Sequence, residues 1–297
     1  METLQEFDLV WIFKLRTANM FAHWNWPGSV LDVDDLPSGV YRTASGNAQT
    51  VKERFSAWLQ VIQWQRRERL LGERFDVITV CSEADKSSLA VSAPVYVVPS
   101  GFEKPPANLQ RLPATPPRFG FIGLFDYAPN AEGVRWFITN CWPSIKRQLP
   151  TARLRLVGRG SEVVFKDLGE DIDGLGWVED SDAEIATWTG MVVPLHVGGG
   201  TRVKIAEGFS RKCPIVSTRL GAFGYEVEDG HEILLADLPD DFAKACVSLV
   251  NDSEMASRIA ERAYSSYLEK WTWDAIAPKI WRAAEDALQR KRESHKR

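Results

Sequence analysis

The chemistry-bearing residues concentrate in VVPLHVGGGTRVKIAEGFSRKCPIVST, Val192 to Thr218. An apolar strand ending at Leu195 runs into Gly198, Gly199 and Gly200, which let the backbone turn tightly, and Thr201 stands where a helix N-cap is expected. The first N–H groups of the following helix lack intrahelical partners and lie at the positive end of its dipole, so an anion there meets donors already aimed at it. Arg202 and Lys204 add charge at the same point. Arginine grips two phosphate oxygens at once and lysine acts as a mobile point charge, a combination suited to a diphosphate. Glu207, between Ala206 and Gly208 on the same helix, could accept the hydroxyls of a ribose or pair with Lys204 at i, i+3, and spacing leaves both open.

Two further strand ends carry a glycine, Phe121-Ile122-Gly123 and Leu156-Val157-Gly158. In an open parallel sheet ligands bind at the carboxyl ends of the strands, so these turns are expected to face one crevice with the triple glycine. Gly174 to Val178 reads as another strand end, where Gly176, Trp177 and Val178 could meet a flat nucleobase. Earlier, VLDVDDL ends a buried strand with Asp32, Asp34 and Asp35, which could bind a hard cation, face an acceptor, or cap local turns. His23, His196 and His231 have no partner pattern, and only His196, beside the glycines, is a site candidate. The sequence has no Gly-x-Ser-x-Gly, HExxH or Walker A pattern, and no GxGxxG with a later acidic ribose ligand. Serine hydrolase, zinc protease, P-loop and nicotinamide dehydrogenase readings therefore lose support.

These residues need a scaffold of alternating strands and helices. Short apolar runs at Leu9–Phe13, Ser29–Val33, Val77–Val80 and Val95–Val98, then Phe119–Ile122, Leu154–Val157, Met191–Leu195, Pro214–Ser217 and Ile233–Leu235, read as strands. Helical stretches are expected at Ala48–Leu71, Asn130–Gln148, Thr201–Arg211, Asp240–Leu249, Glu254–Lys270 and Asp274–Arg290. The pattern is that of α/β lobes with parallel sheets. A segment with five prolines, Gly101 to Pro117, reads as the link between two of them. The expected division is a first lobe over 1–110, a second over 111–272, and a closing helix with a basic tail over 273–297. The first lobe lacks an opening strand with a glycine-rich turn and reads as incomplete.

With 44% apolar and 26% charged residues the 297-residue chain has globular composition, and no apolar run nears a membrane span. A soluble, cytoplasmic chain is expected. The net charge is −4, with a tail, RKRESHKR, of five positive residues and one negative. The acidic remainder disfavours nucleic acid, while the tail could lean on an anionic membrane surface or form a solvated helix end. Cys81, Cys141, Cys213 and Cys246 are scattered and read as buried thiols. Most of the twelve tryptophans should be core, although Trp11, Trp24 and Trp26 are expected to be partly uncovered if leading strands are missing.

At these residues the chain resembles the nucleotide-sugar glycosyltransferases of GT-B fold, glycosyl transferases group 1 or family 4. The strongest stretches are GLFDYAPNAEGVRWF, the VGGGTRVKIAEGFSRKCPIVSTRLGAFGYEVEDGHEILLAD block, and the closing Tyr267 and TWD; VLDVDDLPS and VPSGFE resemble the acceptor lobe. The resemblance implies two doubly wound Rossmann-like lobes, the first incomplete, with the last helix crossing back to it. It implies a nucleoside diphosphate sugar as donor, no cofactor or metal, a glycan or lipid-linked acceptor, and retention of anomeric configuration. Glu207 matches the second of the family's paired glutamates, the one that contacts the ribose, while Gly199 stands in place of the first. The stretch directly after Gly123, LFDYAPN, holds neither the arginine nor the lysine that many members place there, so Arg202 and Lys204 are expected to take the diphosphate role. Asp34 occupies the place of a histidine that faces the reaction centre in some branches. The catalytic candidates are therefore Asp34, Arg202 and Lys204; the donor-binding candidates are Gly123, Gly176, Trp177, Val178, Gly198, Gly199, Gly200, Thr201 and Glu207. The competing expectation is a nucleotide-binding relative or truncated remnant that transfers no sugar.

Overall fold

The structure, a computed structural model, describes residues 6–21, 26–107, 110–166 and 169–294. His23 and Trp24 lie outside them, as do the last three residues of the tail. The chain forms two compact units, one of Met1–Ser100, Gly198–Thr201 and Trp273–Arg297, the other of Gly101–Val197 and Arg202–Thr272.

The first unit opens with β1 (Leu9–Phe13), α1 (Leu15–Ala18), a 3-10 turn at Asn19–Phe21 and β2 (Gly28–Asp32). It continues with α2 (Pro37–Gly46), α3 (Val51–Arg69), α4 (Leu71–Arg74), β3 (Val77–Val80), α5 (Glu83–Ser88) and β4 (Val95–Val97). Its strands form a parallel sheet in the order β1-β2-β3-β4. Strand residues alternate between the faces, so Leu31 and Ile78 pack with Leu15, Trp64, Leu71 and Phe75, while Val30 and Val77 face the opposite side. Helix α3 begins at Val51, three residues after its expected start, because Thr50 and Glu53 form a reciprocal capping box. Trp26 is only 7% exposed and packs on Phe75 with ring centroids 5.8 Å apart, which corrects the expectation that it is uncovered; Trp11 is half-buried.

The second unit runs β5 (Arg118–Ile122), α6 (Ala128–Asn140), α7 (Trp142–Gln148), β6 (Arg153–Val157), α8 (Ser161–Val164), β7 (Ile172–Gly176), α9 (Ser181–Ala186) and β8 (Gly190–Val193). Then come α10 (Val203–Ser210), β9 (Ile215–Ser217), β10 (Leu234–Leu235), α11 (Pro239–Asn251) and α12 (Ser253–Lys270). All its strand pairs are parallel, in the order β10-β9-β8-β5-β6-β7. The chain starts at the centre with β5, winds outward through β6 and β7, then crosses to β8 on the other side. That is the doubly wound order, with its switch point between β5 and β8, and in such sheets ligands bind outside the carboxyl ends of the strands at that point. The proline-rich segment belongs to this unit rather than hanging free: Leu112 and Ala114 N–H groups donate to the Ala186 and Thr187 carbonyls, at 3.0 and 2.8 Å. The helix expected over Asn130–Gln148 divides at Cys141, with Pro143 in the first turn of α7. Trp142 and Trp188 are core, and the four cysteines are buried free thiols.

The final helix, α13 (Trp273–Ser294), belongs to the first unit and lays Ala283 and Ala287 on Val30 and Val77. The described part of the basic tail is helical; Arg290 pairs with Asp286 and Lys291 donates to the Trp26 carbonyl. Among the described residues no helix is long and apolar enough to cross a membrane.

Candidate functional site

The carboxyl ends of β5, β6 and β7 lie side by side through their backbone. Gly123 N–H donates to the Val157 carbonyl at 3.0 Å and Gly158 N–H to the Gly176 carbonyl at 2.7 Å. Gly158 adopts φ +123°, a conformation open to glycine, and a β-carbon there would run into the Gly123 carbonyl. Gly176 is held from below by the buried Ser161 hydroxyl, which accepts its N–H at 2.8 Å. Just beyond, Trp177 is 76% exposed with its indole available as a stacking platform, while Val178 packs against the core. Trp177 thus departs from the expectation that tryptophans are mostly core.

Helix α10 brings the charged groups to this rim. Lys204 Nζ donates to Asn130 Oδ1 at 2.9 Å and sits 3.9 Å from the centre of the Phe121 ring. The residue as a whole is half-buried, but its ammonium is crowded by protein. Its pKa is lowered to about 7, chiefly by burial and also by Arg202, with Glu207 opposing. Glu207 is 8% exposed, and no side chain among the described residues hydrogen-bonds its carboxylate. Burial raises its pKa to about 7 against the pull of Arg211 and Lys204. The i, i+3 pair of Lys204 with Glu207 is therefore not formed; the ammonium goes to Asn130 instead. Arg211, next to Glu207 in the electrostatics, is bound to Asp182. The Tyr225 hydroxyl donates to the Arg202 carbonyl at 3.0 Å, fixing the backbone just before α10.

Thr201 is not the cap. The helix starts at Val203 with Arg202 in the cap position and no side-chain cap bond, because the Thr201 hydroxyl donates to Ser100 Oγ at 2.9 Å. Gly198, Gly199, Gly200 and Thr201 belong to the first unit. Gly198 N–H donates to the Thr43 hydroxyl at 3.2 Å, and a β-carbon on Gly199 would come within 2.6 Å of Val40 Cγ2. Gly200, at φ +64°, lies against Asp35. These glycines let the turn approach α2, and Gly199 leaves no room for the side chain that the resemblance places there.

Asp34 also lies in the first unit, at φ +62°, where it pairs with Lys14 at 3.4 Å and accepts from the Cys81 thiol. Burial raises the pKa of neighbouring Asp32; Thr79 opposes and Asp34 adds to the rise. Among the described residues no group of three or more His, Cys, Asp or Glu is arranged to hold a metal ion. His196 stacks edge-on with Trp136, ring centroids 4.3 Å apart, and burial lowers its pKa.

An open parallel sheet with bare strand ends, a lysine that has no carboxylate partner among the described residues, and an exposed aromatic ring could together receive a nucleotide. Residues 116–252 match the family model described as glycosyl transferases group 1. The second unit is a group 1 glycosyl transferase domain. Over 255 residues the chain is 20% identical to an uncharacterized 44.6 kDa protein in the cps region of Klebsiella pneumoniae, covering 82% of this chain and 64% of that one. The chain thus spans less than two thirds of that relative. Sucrose-phosphate synthase from Thermosynechococcus elongatus superposes with a TM-score of 0.72 at 18% identity, covering 93% of this chain and 73% of that one. HepE from Anabaena, solved in complex with UDP and glucose, superposes with a TM-score of 0.67 at 14% identity, covering 95% and 78%. At these identities the likeness is one of fold, and that fold is GT-B.

Asn130, Ser161 and Phe121 shape the candidate site without having been legible as site residues. Asn130 lies in YAPN at the start of α6, where an asparagine reads as a turn residue. Only folding shows that its amide reaches 74 positions along the chain to Lys204.

Proposed function

We propose that the group 1 domain binds a nucleoside diphosphate sugar and that the protein transfers the sugar to a glycan or lipid-linked acceptor. The reading is carried by the Lys204 ammonium, held over the Gly123 turn at the switch point of the sheet with an amide and an aromatic ring as its partners. A buried cation is normally paired with an anion, and here the diphosphate supplies it. The N–H groups of Val203 and Lys204 at the open end of α10 add donors and the positive end of the dipole. Arg202, just ahead of them, adds a bidentate grip. As the glycosidic bond to phosphate breaks, negative charge builds on the leaving diphosphate, and these fixed groups stabilise it without reorganising. Glu207 accepts the ribose hydroxyls, replacing hydrogen bonds its buried carboxylate lacks, and Trp177 stacks on the base. HepE, solved with UDP and glucose, supports UDP-glucose as the first donor to test. Transfer proceeds with retention and without a metal ion.

The test is incubation of the full chain with UDP-, GDP- and ADP-sugars and oligosaccharide or lipid-linked acceptors, following nucleotide release with and without EDTA and the product anomer by NMR. Retained transfer in EDTA is expected. Inverted product would remove the retaining mechanism, and loss of activity in EDTA would remove metal independence. Gly199, hemmed in by Val40 where a glutamate is otherwise expected, favours a second reading in which the chain binds nucleotide but transfers nothing. Binding without turnover on every donor would support it.

A further inference from the structure

Lys204 is held by groups that orient its charge without cancelling it. Asn130, 7% exposed in the first turn of α6, accepts the ammonium through Oδ1 at 2.9 Å while its Nδ2 donates to the Leu124 carbonyl at 2.8 Å. The second bond fixes the amide, so its oxygen and not its nitrogen faces the lysine. The Phe121 ring lies on another side of the ammonium, 3.9 Å away, and offers the negative face of its quadrupole. A β-carbon on Gly123 would stand 3.0 Å from Nζ and 2.9 Å from Asn130 Nδ2, so both groups crowd the bare backbone of that turn. Among the described residues no carboxylate forms an ion pair with Lys204.

We propose that Asn130 is the positioning residue for Lys204, holding its ammonium at the Gly123 turn as an uncompensated charge for the phosphoryl oxygens of the donor. The inference rests on the donor reading above. The distinction between amide and carboxylate at position 130 is its core. A carboxylate would make the same hydrogen bond but satisfy the charge before any phosphate arrived, whereas an amide supplies only a dipole. The lowered pKa of Lys204 agrees with an ammonium that lacks a counter-charge. The charged groups acting on it are Arg202, which lowers that pKa, and Glu207, which raises it; β5 and α6 contribute Phe121 and Asn130, neither of which titrates.

The experiment measures the affinity of the full chain for UDP, GDP and ADP by calorimetry from about pH 6 to pH 9, for the unaltered protein and for Asn130→Ala, Asn130→Asp and Lys204→Met. Asn130→Ala is expected to weaken binding by about tenfold, the loss of one charge-assisted hydrogen bond. In the unaltered protein affinity falls as pH rises through the titration of Lys204. Asn130→Asp should move that fall upward by about a unit or more while weakening binding at neutral pH, since the new carboxylate both raises the lysine pKa and competes with the phosphate. A purely structural asparagine would not shift the profile. If Lys204→Met weakens binding but both Asn130 variants keep the affinity and pH profile of the unaltered protein, the role of Asn130 is overturned and the donor reading stands. If the unaltered protein binds none of the three nucleotides, the donor reading falls and this inference with it. Should Asn130→Ala fail to fold, the near-isosteric Asn130→Asp carries the test.

Discussion

Gly158 lies so close to Gly123 that a β-carbon on the first would overlap the carbonyl oxygen of the second. The ends of β5 and β6 therefore touch through backbone alone. Gly158→Ala meets both the steric conflict and φ +123°, and is expected to destabilise the protein by about 3 kcal/mol. Urea unfolding checks the loss; stability unchanged to within about 0.5 kcal/mol would show that the turn has slack.

Glu207→Gln should separate stability from function. The folded-state pKa of Glu207 is about 7 against an ordinary value of 4.5, so the native state holds a proton that the unfolded chain releases as pH rises between those values. Ionising the buried carboxylate thus costs stability progressively through that window, and the cost is complete above about pH 7. The glutamine variant is expected to match the unaltered protein near pH 4.5 and to exceed it by about 3 kcal/mol at pH 8, while losing nucleotide affinity. Denaturation at the two pH values provides the measurement, and an equal difference at both would contradict the buried-carboxylate account.

Replacing Arg202 and Lys204 together by methionine removes both cations from the start of α10. Diphosphate affinity should drop by about 100-fold or more, as expected for two charge-assisted contacts. Calorimetry with UDP decides it, and unchanged affinity would remove both residues from the donor site.

Trp177→Ala should weaken nucleotide binding by about 1–3 kcal/mol if the indole stacks on the base. At 76% exposure the side chain adds little to folding, so stability should stay within about 0.5 kcal/mol. Loss of stability without loss of affinity would reverse the assignment.

Glu184 binds Arg155 through both oxygens, at 2.7 and 2.9 Å, and also accepts the Trp188 indole N–H at 2.9 Å. Burial alone would raise its pKa, but these bonds outweigh burial and hold it below the ordinary value. Its contribution is therefore present above the unfolded-state pKa and is lost as pH falls through the folded one. Glu184→Ala should cost about 1–3 kcal/mol at neutral pH, because Arg155 keeps Asp173 at 3.2 Å but loses its two-oxygen partner and the buried Trp188 N–H is left without an acceptor. The difference from the unaltered protein should shrink on acidification in pH-dependent melts.

The strands and the long helices were legible because their cause is local. β3 and β8, buried along their whole lengths, must be continuous apolar runs, and α12 must carry a period of 3.6. α2 escaped notice because PSGVYRTASG is rich in turn residues, and α5, α8 and α9 are too short to show a period. The residue types of the candidate site were legible for the same local reason: Arg202 follows a glycine turn, and Lys204 and Glu207 lie on the short helix it precedes.

Partner choice was not legible. Spacing on a helix allowed Lys204 to meet Glu207 and placed Thr201 at a cap, yet the ammonium turns to Asn130 and the hydroxyl to Ser100. Both outcomes depend on groups far away in the chain that only the folded sheet brings within hydrogen-bonding reach. The sequence by itself determined the elements, the order in which they follow one another and the chemistry they could carry, because burial and periodicity act over a few residues. Tertiary structure alone decided which charges are compensated and which stay open. A side chain bonds whatever the packed neighbours place within about 3 Å, and its spacing along the chain does not contain that distance.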